Sequence, residues 1–408
     1  MKKLLGVLLA IAMSWPVSAT VLKNVEVIGE IQTIASDVHH NEYADYNSGA
    51  STRVLAGLSA DLVEDVTANL LFQYANAWGD NMDLEGKTVQ SYWNNIKLAN
   101  ANVVLHNLFC AFDLTVGRQF YGDEDSAVMY IGPNHYNAEL NGYVNTIDAA
   151  KLVYADDVKT LTLIAGTIAD HTAVNPWNPE YADEKYDLFG ADFKWNVTDA
   201  LFAQVYGYDF TAKGDDVDPD EHADKHEGFY GAKLGANMEA VRASVEYARN
   251  FGGKRLIKEH KDTGYMVKAD LAADMDALTA RGAFVYAKQG FDAVGNYTPG
   301  LLVGHLYGGD IWDYSAEGLR LFNLGFDMKA AEKWVFSLDG YTFQARTGHA
   351  TTYEADLTAK YNHNEYVQLF AGVGYAKYTK NEKYDAQSRE FMGAGDNFKG
   401  QLGMLIKF

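Results

Sequence analysis

Along this chain apolar and polar residues alternate one for one, in segment after segment of about ten residues, with turn residues between them. Segment 352–361 puts Tyr353, Ala355, Leu357, Ala359 and Tyr361 on one face and Glu354, Asp356, Thr358 and Lys360 on the other. Segment 278–288 sets Leu278, Ala280, Gly282, Phe284 and Tyr286 against Thr279, Arg281, Ala283 and Val285. Segment 53–62 sets Val54, Ala56, Leu58, Ala60 and Leu62 against Arg53, Gly57, Ser59 and Asp61. A period of two is the period of a strand, whose successive side chains leave opposite faces. Beyond the N-terminus no apolar run approaches the roughly 20 residues of a membrane-spanning helix. The pattern therefore predicts an all-β chain whose strands carry one apolar and one polar face.

Counted in this way there are about 18 strands, near 22–32, 51–62, 66–78, 90–102, 110–120, 143–154, 158–168, 185–196, 201–210, 227–237, 241–249, 263–273, 277–288, 316–328, 333–344, 352–361, 365–378 and 397–408. Every second connection is short, as at Glu64-Asp65, Asp156-Asp157, Thr198-Asp199 and His363-Asn364. The others are mostly long, polar and acidic, and the longest lie near 121–142 and 289–315. Short turns on one side and long loops on the other are the asymmetry of an outer-membrane barrel, with the turns toward the periplasm. An even strand number closes such a sheet and leaves no unpaired edge, as a bilayer requires. The expected fold is a single closed antiparallel transmembrane β-barrel over residues 20–408. Trp78, Tyr92, Trp93, Tyr143, Tyr154, Trp195, Tyr247, Trp334, Tyr361, Tyr366 and Tyr375 sit near strand ends, where interfacial girdles are expected.

Both ends agree with export. Lys2 and Lys3 precede an apolar run from Leu4 to Met13 and a small-residue exit at Val17-Ser18-Ala19, the three parts of a secretory signal peptide cleaved after Ala19. The last segment places Phe398, Gly400, Leu402, Met404, Ile406 and Phe408 on one face. A strand closed by a terminal aromatic resembles the C-terminal signature by which outer-membrane barrels engage their assembly machinery. Outer-membrane lipid and lipopolysaccharide are then the expected surroundings.

The formal charge of −21 argues against nucleic acid as a partner and suits loops that face divalent cations or a lumen that prefers cations. A single cysteine, Cys110, excludes an intramolecular disulfide framework and reads as a small apolar residue at a strand start. Loop 214–226 is dense in carboxylates but lacks the Gly and closing Glu of an EF-hand, so it reads as a solvated acidic loop. His222 and His226 beside Pro219 do not suggest zinc, and His39-His40 reads as loop. Neither Gly-x-Ser-x-Gly nor His-Glu-x-x-His occurs. No enzyme activity, metal or cofactor is expected.

The most specific string is Thr115-Val116-Gly117-Arg118-Gln119-Phe120-Tyr121-Gly122-Asp123, followed by Asn145-Thr146-Ile147-Asp148-Ala149-Ala150-Lys151-Leu152-Val153-Tyr154. Over roughly residues 88–170 it resembles the alginate-export family of outer-membrane barrels. There a strand ends in Gly-Arg-Gln, a Tyr-Gly-Asp turn opens a long loop, and a strand with an inward Asp follows. The resemblance implies an 18-stranded porin-like barrel that conducts charged saccharide.

From the residues themselves, Arg118, Asp148 and Lys151 flank loop 121–142 and would set a field at a constriction. Strict alternation from Phe112 sends Arg118 outward, so a bulge at Gly117 is expected to return it to the lumen. The alternative is that Arg118 and Asp148 merely pair to hold the loop. Further inward candidates are Arg53, Asp113, Asp192, Lys194, Lys233, Arg242, Glu246, Lys268, Asp270, Arg281, Asp327, Asp339, Glu354, Asp356, Lys360 and Lys399, because charge facing lipid is costly near the midplane. Both signs are present, which suits passive diffusion of small hydrophilic solutes or charged saccharides. An export duct for an anionic polysaccharide such as alginate, and a structural surface protein with a plugged barrel, stay open as alternatives.

Overall fold

The computed structural model describes residues 22–40, 47–78, 96–138, 141–142, 144–169, 185–213, 226–252, 264–288, 291, 293–295, 297, 299–302, 319–345, 351–378 and 395–408. The signal-peptide segment, loop 214–226 up to Lys225, and Tyr92, Trp93 and Tyr143 lie outside the described residues.

In chain order the strands are β1 (Lys23–His40), β2 (Asn47–Val63), β3 (Val66–Trp78), β4 (Ile96–Leu108), β5 (Phe112–Gln119), β6 (Tyr121–Gly122), β7 (Tyr130–Ile131), β8 (Ile147–Ala155), β9 (Lys159–Ala169), β10 (Lys185–Asn196), β11 (Leu201–Lys213), β12 (His226–Asn237), β13 (Val241–Gly252), β14 (Tyr265–Met275), β15 (Leu278–Ala287), β16 (Leu319–Lys329), β17 (Trp334–Ala345), β18 (Thr351–Asn362), β19 (Val367–Tyr378) and β20 (Gly395–Lys407). All but β6 and β7 form one 18-stranded antiparallel sheet in which each strand pairs with its neighbours in the chain. β20 then pairs with β1, from Glu30 opposite Lys407 to His40 opposite Asn397, and closes the barrel. At the seam the Gly29 N–H donates to the Phe408 carbonyl at 2.7 Å and the Phe408 N–H returns a bond of 3.0 Å. No strand of the barrel is left with a free edge.

Short connections join strands at one end of the barrel and are built by local side chains. Asp156 accepts the N–H groups of Val158 and Lys159 at 2.8 and 2.6 Å. Asn364 accepts those of Tyr366 and Val367 at 3.0 and 2.8 Å. Thr198 accepts those of Ala200 and Leu201 at 3.2 and 3.0 Å. These are the Asx- and Ser/Thr-turn geometries that favour such residues between strands.

The outward face is a belt of large apolar side chains, among them Leu70, Leu163, Phe189, Val205, Leu234, Leu271, Leu324, Leu338 and Leu402, all more than a third exposed. A continuous apolar exterior of this kind suits lipid and not water. Trp195, Trp334 and Tyr366 border it at the turn end, and Trp78 borders it at the loop end. Trp334 stacks on Phe336 with ring centroids 5.6 Å apart.

Three expectations need correction. β4 lies six residues later than the alternation suggests. A register shift between Leu71 and Phe72 breaks the parity of β4, and its turn at Phe109-Cys110-Ala111 is apolar where a polar turn was sought. Cys110 therefore sits exposed in that turn at φ 64°, not at a strand start. β1 runs eight residues past position 32, so His39 and His40 belong to a strand.

Substitution on the two faces is expected to have unequal cost. Leu324→Arg, in mid-strand on the lipid belt, is predicted to destabilise the barrel by about 2–4 kcal/mol. Asn323→Arg, its neighbour on the lumen face, is expected to cost much less. Equilibrium unfolding in lipid vesicles measures both.

Candidate functional site: a lumen narrowed by two in-folded segments

Barrel strands carry their inward residues in register, and the wide lumen is then partly filled from the connections. Segment 120–146 turns inward from β5. Gly122, at φ 86°, allows the close pairing of β6 with β7; a Cβ there would meet the Met129 carbonyl at 2.3 Å. Ala127, Val128, Met129 and Ile131 are buried against inward residues of the wall, including Leu188, Tyr206, Tyr208, Phe210 and Phe229. The Tyr121 and Tyr208 hydroxyls meet at 3.0 Å. The other end of the segment is held across the lumen by polar groups of β1, β2 and β3. The Gln32 amide donates to Asn141 Oδ1 at 2.8 Å, Gln73 donates to the Gly142 carbonyl at 2.7 Å, and Asn141 Nδ2 donates to Ser51 Oγ at 2.8 Å.

At the centre of this grip lies Arg53, fully buried. Its guanidinium donates to Glu30 Oε1 at 2.7 Å and to the Asn134 carbonyl at 2.7 Å. The second Glu30 oxygen lies 2.8 Å from His135 Nε2, and His135 Nδ1 lies 2.7 Å from Glu124 Oε2. The result is an alternating chain, Arg53–Glu30–His135–Glu124, that ties segment 120–146 to the wall. Burial works against the imidazolium, but the hydrogen bonds to Glu124 and Glu30 outweigh it and raise the His135 pKa above its ordinary value. Burial likewise opposes the Glu124 carboxylate, and the bond to His135 overcomes it and leaves its pKa lowered.

A second segment reaches inward between β15 and β16. Leu301 N–H donates to Asp356 Oδ2 at 2.9 Å and Leu302 N–H donates to Glu354 Oε1 at 2.7 Å. The two segments join edge to edge: Tyr130 N–H donates to the Val294 carbonyl at 2.6 Å, and Val294 N–H to the Val128 carbonyl at 3.1 Å.

Beside them a cavity of about 620 Å³ remains open. Segment 120–146 contributes Glu124, Asp125, His135 and Tyr136 to it, and the wall contributes Lys268, Arg281, Asp327, Asp339, Asp356 and Lys360. Arg281 is held by Asp327 through two bonds of 2.6 and 2.8 Å and by Asp339 at 3.0 Å. Lys268 pairs with Asp270. Lys360 Nζ lies 4.3 Å from the centroid of the Tyr136 ring.

The structure thus brings together Arg281, Asp356 and Lys360 at one cavity, and places Arg53 and Glu354 as anchors of the in-folded segments. Lys151 shares the inward face of β8 with Ile147 and Ala149. Asp113 faces inward at the turn end, 3.6 Å from His106 Nδ1, far from the constriction.

Arg118 and Asp148 are the correction. Ile147 and Ala149 are buried among the inward residues, so Asp148 between them points outward, and Arg118 stands directly opposite it on β5. Gly117 has a left-handed φ of 121°, yet pairing runs past it without a shift on both sides. With no bulge, strict alternation holds and Arg118 stays outside. There it grips Asp148 through two bonds of 2.8 and 2.7 Å at the loop end of the barrel wall. This pair does not line the lumen.

Glu30, Glu124, His135, Gln32 and Gln73 were not singled out from the sequence. Gln32 and Gln73 sit on inward faces where alternation could have found them, but loop residues such as Glu124 and His135 carry no period to read. The inward Tyr206, Tyr208 and Phe210 were also missed, because an apolar stripe on the lumen face makes sense only once a loop covers it.

No family model and no curated protein matches the chain. Solved structures do. OpdG (OccK9) of Pseudomonas aeruginosa aligns with a TM-score of 0.65 at 11% identity, over 94% of this chain and 99% of that one. OccAB4 of Acinetobacter baumannii aligns with a TM-score of 0.62 at 8% identity, over 96% of this chain and 100% of its own. The outer membrane protein OpdK of Pseudomonas aeruginosa aligns with a TM-score of 0.60 at 8% identity, over 94% and 98%. At such identities the shared property is the fold, over nearly the full length.

Removing Arg53 leaves the buried Glu30 with His135 as its remaining charged partner, and breaking a buried pair costs on the order of 3–5 kcal/mol. Arg53→Met is therefore expected to loosen residues 124–138, seen as faster amide hydrogen exchange there while the barrel strands keep their protection. The docking also depends on pH. A raised His135 pKa stabilises the docked segment fully below the ordinary imidazole value of 6.5, and this is lost as pH rises through the raised value. A lowered Glu124 pKa stabilises it above the ordinary value of 4.5, and this is lost as pH falls through the lowered value. The protection of amides in residues 124–138, with the intrinsic pH dependence of exchange divided out, is thus expected to be highest between those two limits and to fall on either side.

Proposed function

We propose that the chain is an outer-membrane channel through which small hydrophilic solutes diffuse passively. The observation that carries this is the cavity of about 620 Å³ left between segment 120–146 and the β14–β20 side of the wall, lined by charges of both signs. A barrel built only to anchor surface loops has no need of a charged, partly open lumen. Charges fixed beside an in-folded segment select permeants by sign and size. The likeness in fold to porin-like barrels such as OpdG supports the same reading.

In this reading the apolar belt sits in outer-membrane lipid, with lipopolysaccharide against the loop end and the short turns in the periplasm. Export through a cleaved signal peptide at residues 1–19, and handling by the assembly machinery through β20 and Phe408, belong to the same proposal. An export duct for an anionic polysaccharide is not carried forward. The Arg118–Asp148 pair on which the resemblance to alginate exporters turned faces outward. The cavity carries carboxylates as well as cations.

Recording from purified protein in planar bilayers tests the proposal. Discrete conductance steps are expected, and Arg53→Met should enlarge or destabilise them by releasing segment 120–146. A barrel silent at every voltage, in the wild type and in the variant, would leave the plugged surface anchor as the better account.

A further inference from the structure

The charges around the cavity are unevenly committed. Arg281 is paired with Asp327 and Asp339 through its Nε and Nη2. Lys268 is taken by Asp270, and His135 by Glu30 and Glu124. Asp356 accepts the Leu301 N–H. Three lining groups make no ion pair among the described residues: Asp356, which is buried, and Lys360 and Asp125, which are not. Lys360, on the wall, has the face of Tyr136 against its ammonium and feels the carboxylates of Asp327 and Asp125 without pairing with either. Asp125, on segment 120–146, is exposed to the cavity, and its backbone N–H rather than its carboxylate makes the local turn bond to Asp123.

Taking the barrel as a channel, as proposed above, we infer that Asp125 and Lys360 form its selectivity pair and that the preferred permeant is a small zwitterion, a solute carrying both an ammonium and a carboxylate. A singly charged ion entering the cavity meets one attractive and one repulsive group. A zwitterion lying across the cavity satisfies both, its cationic end toward Asp125 and its anionic end toward Lys360. The two groups feel each other across the gap. Burial and the neighbouring Asp123 and Glu124 push the Asp125 pKa up, while Lys268 and Lys360 act to pull it down. Tyr136 and Phe370, packed edge to face at 5.0 Å, and Tyr341 line the same space and suit the short hydrocarbon link between the charged ends. Arg281 with Asp327 and Asp339 shapes the wall, and Asp327 adds its charge to the field at Lys360.

The experiment uses the full-length barrel in liposomes, with swelling rates for 4-aminobutyrate, butyrate and n-butylammonium at matched osmolarity, and ion selectivity from reversal potentials in a KCl gradient. Several-fold faster entry of 4-aminobutyrate than of either singly charged analogue is expected. Asp125→Asn and Lys360→Gln should each remove that preference, and they should move the reversal potential in opposite directions, toward anions for the first and toward cations for the second. Lys360→Arg should keep the preference and guards against a mere folding defect. Equal entry of all three solutes through a barrel that conducts KCl overturns the inference and leaves the channel standing, as does a shift of the same sign from both variants. A barrel that conducts nothing overturns the channel as well.

Discussion

Backbone hydrogen bonding in a medium without water is the constraint on which the rest of the structure depends. Each peptide group that faces lipid must find its partner inside the protein, and a sheet meets that demand only by closing. Closure is made where β1 meets β20, from Glu30 opposite Lys407 upward, and the last residue is drawn into it through the reciprocal bonds of Phe408 with Gly29. Once eighteen strands are committed to a ring, the outward side chains are assigned to lipid and the inward ones to the lumen by parity alone. The apolar belt and the inward charges are two readings of the same pleat.

The ring sets a second problem. Around eight strands leave a bore that wall side chains can fill, whereas eighteen leave an open one. Here the space is partly filled by chain that comes back from the loop end. One flank of segment 120–146 is apolar and packs on Tyr206, Tyr208 and Phe229, and the other is polar and ends in the buried charge chain from Arg53 to Glu124. A segment fastened by ionic and hydrogen-bonding groups at one side and by apolar contact at the other divides the lumen. What remains beside it is narrow enough for single side chains to matter. The narrowing is thus a consequence of fastening, and the groups that fasten are distinct from those left to meet a solute.

Much of the fold was legible in the sequence. The period-two pattern located nearly every strand, and the alternation of short and long connections ordered them into a ring. Where the pattern failed, the cause was local. The register shift near Leu71 moves the parity of β4, and an apolar turn around Cys110 hides the boundary that a polar turn would have marked. The candidate site was legible only for residues on strands. Arg281, Asp356 and Lys360 face inward because their positions are even or odd in the right way. Arg118 shows the same rule from its other side: parity placed it outward, a bulge was invoked to turn it in, and the unbroken pairing past Gly117 shows that parity was sufficient.

The sequence by itself therefore determined the period, the number of strands and, away from the shift in β4, the face on which a strand residue lies, because in a regular pleated strand those follow from position alone. The tertiary structure decided how far the loop segments enter the lumen and which charges they consume. Glu30 and His135 are 105 residues apart, and Tyr130 and Val294 are farther still. Such pairings depend on the ring bringing distant strands around one bore. No periodicity along the chain records that geometry, which is why Asp125 and Lys360 stand out only after the other charges have found their partners.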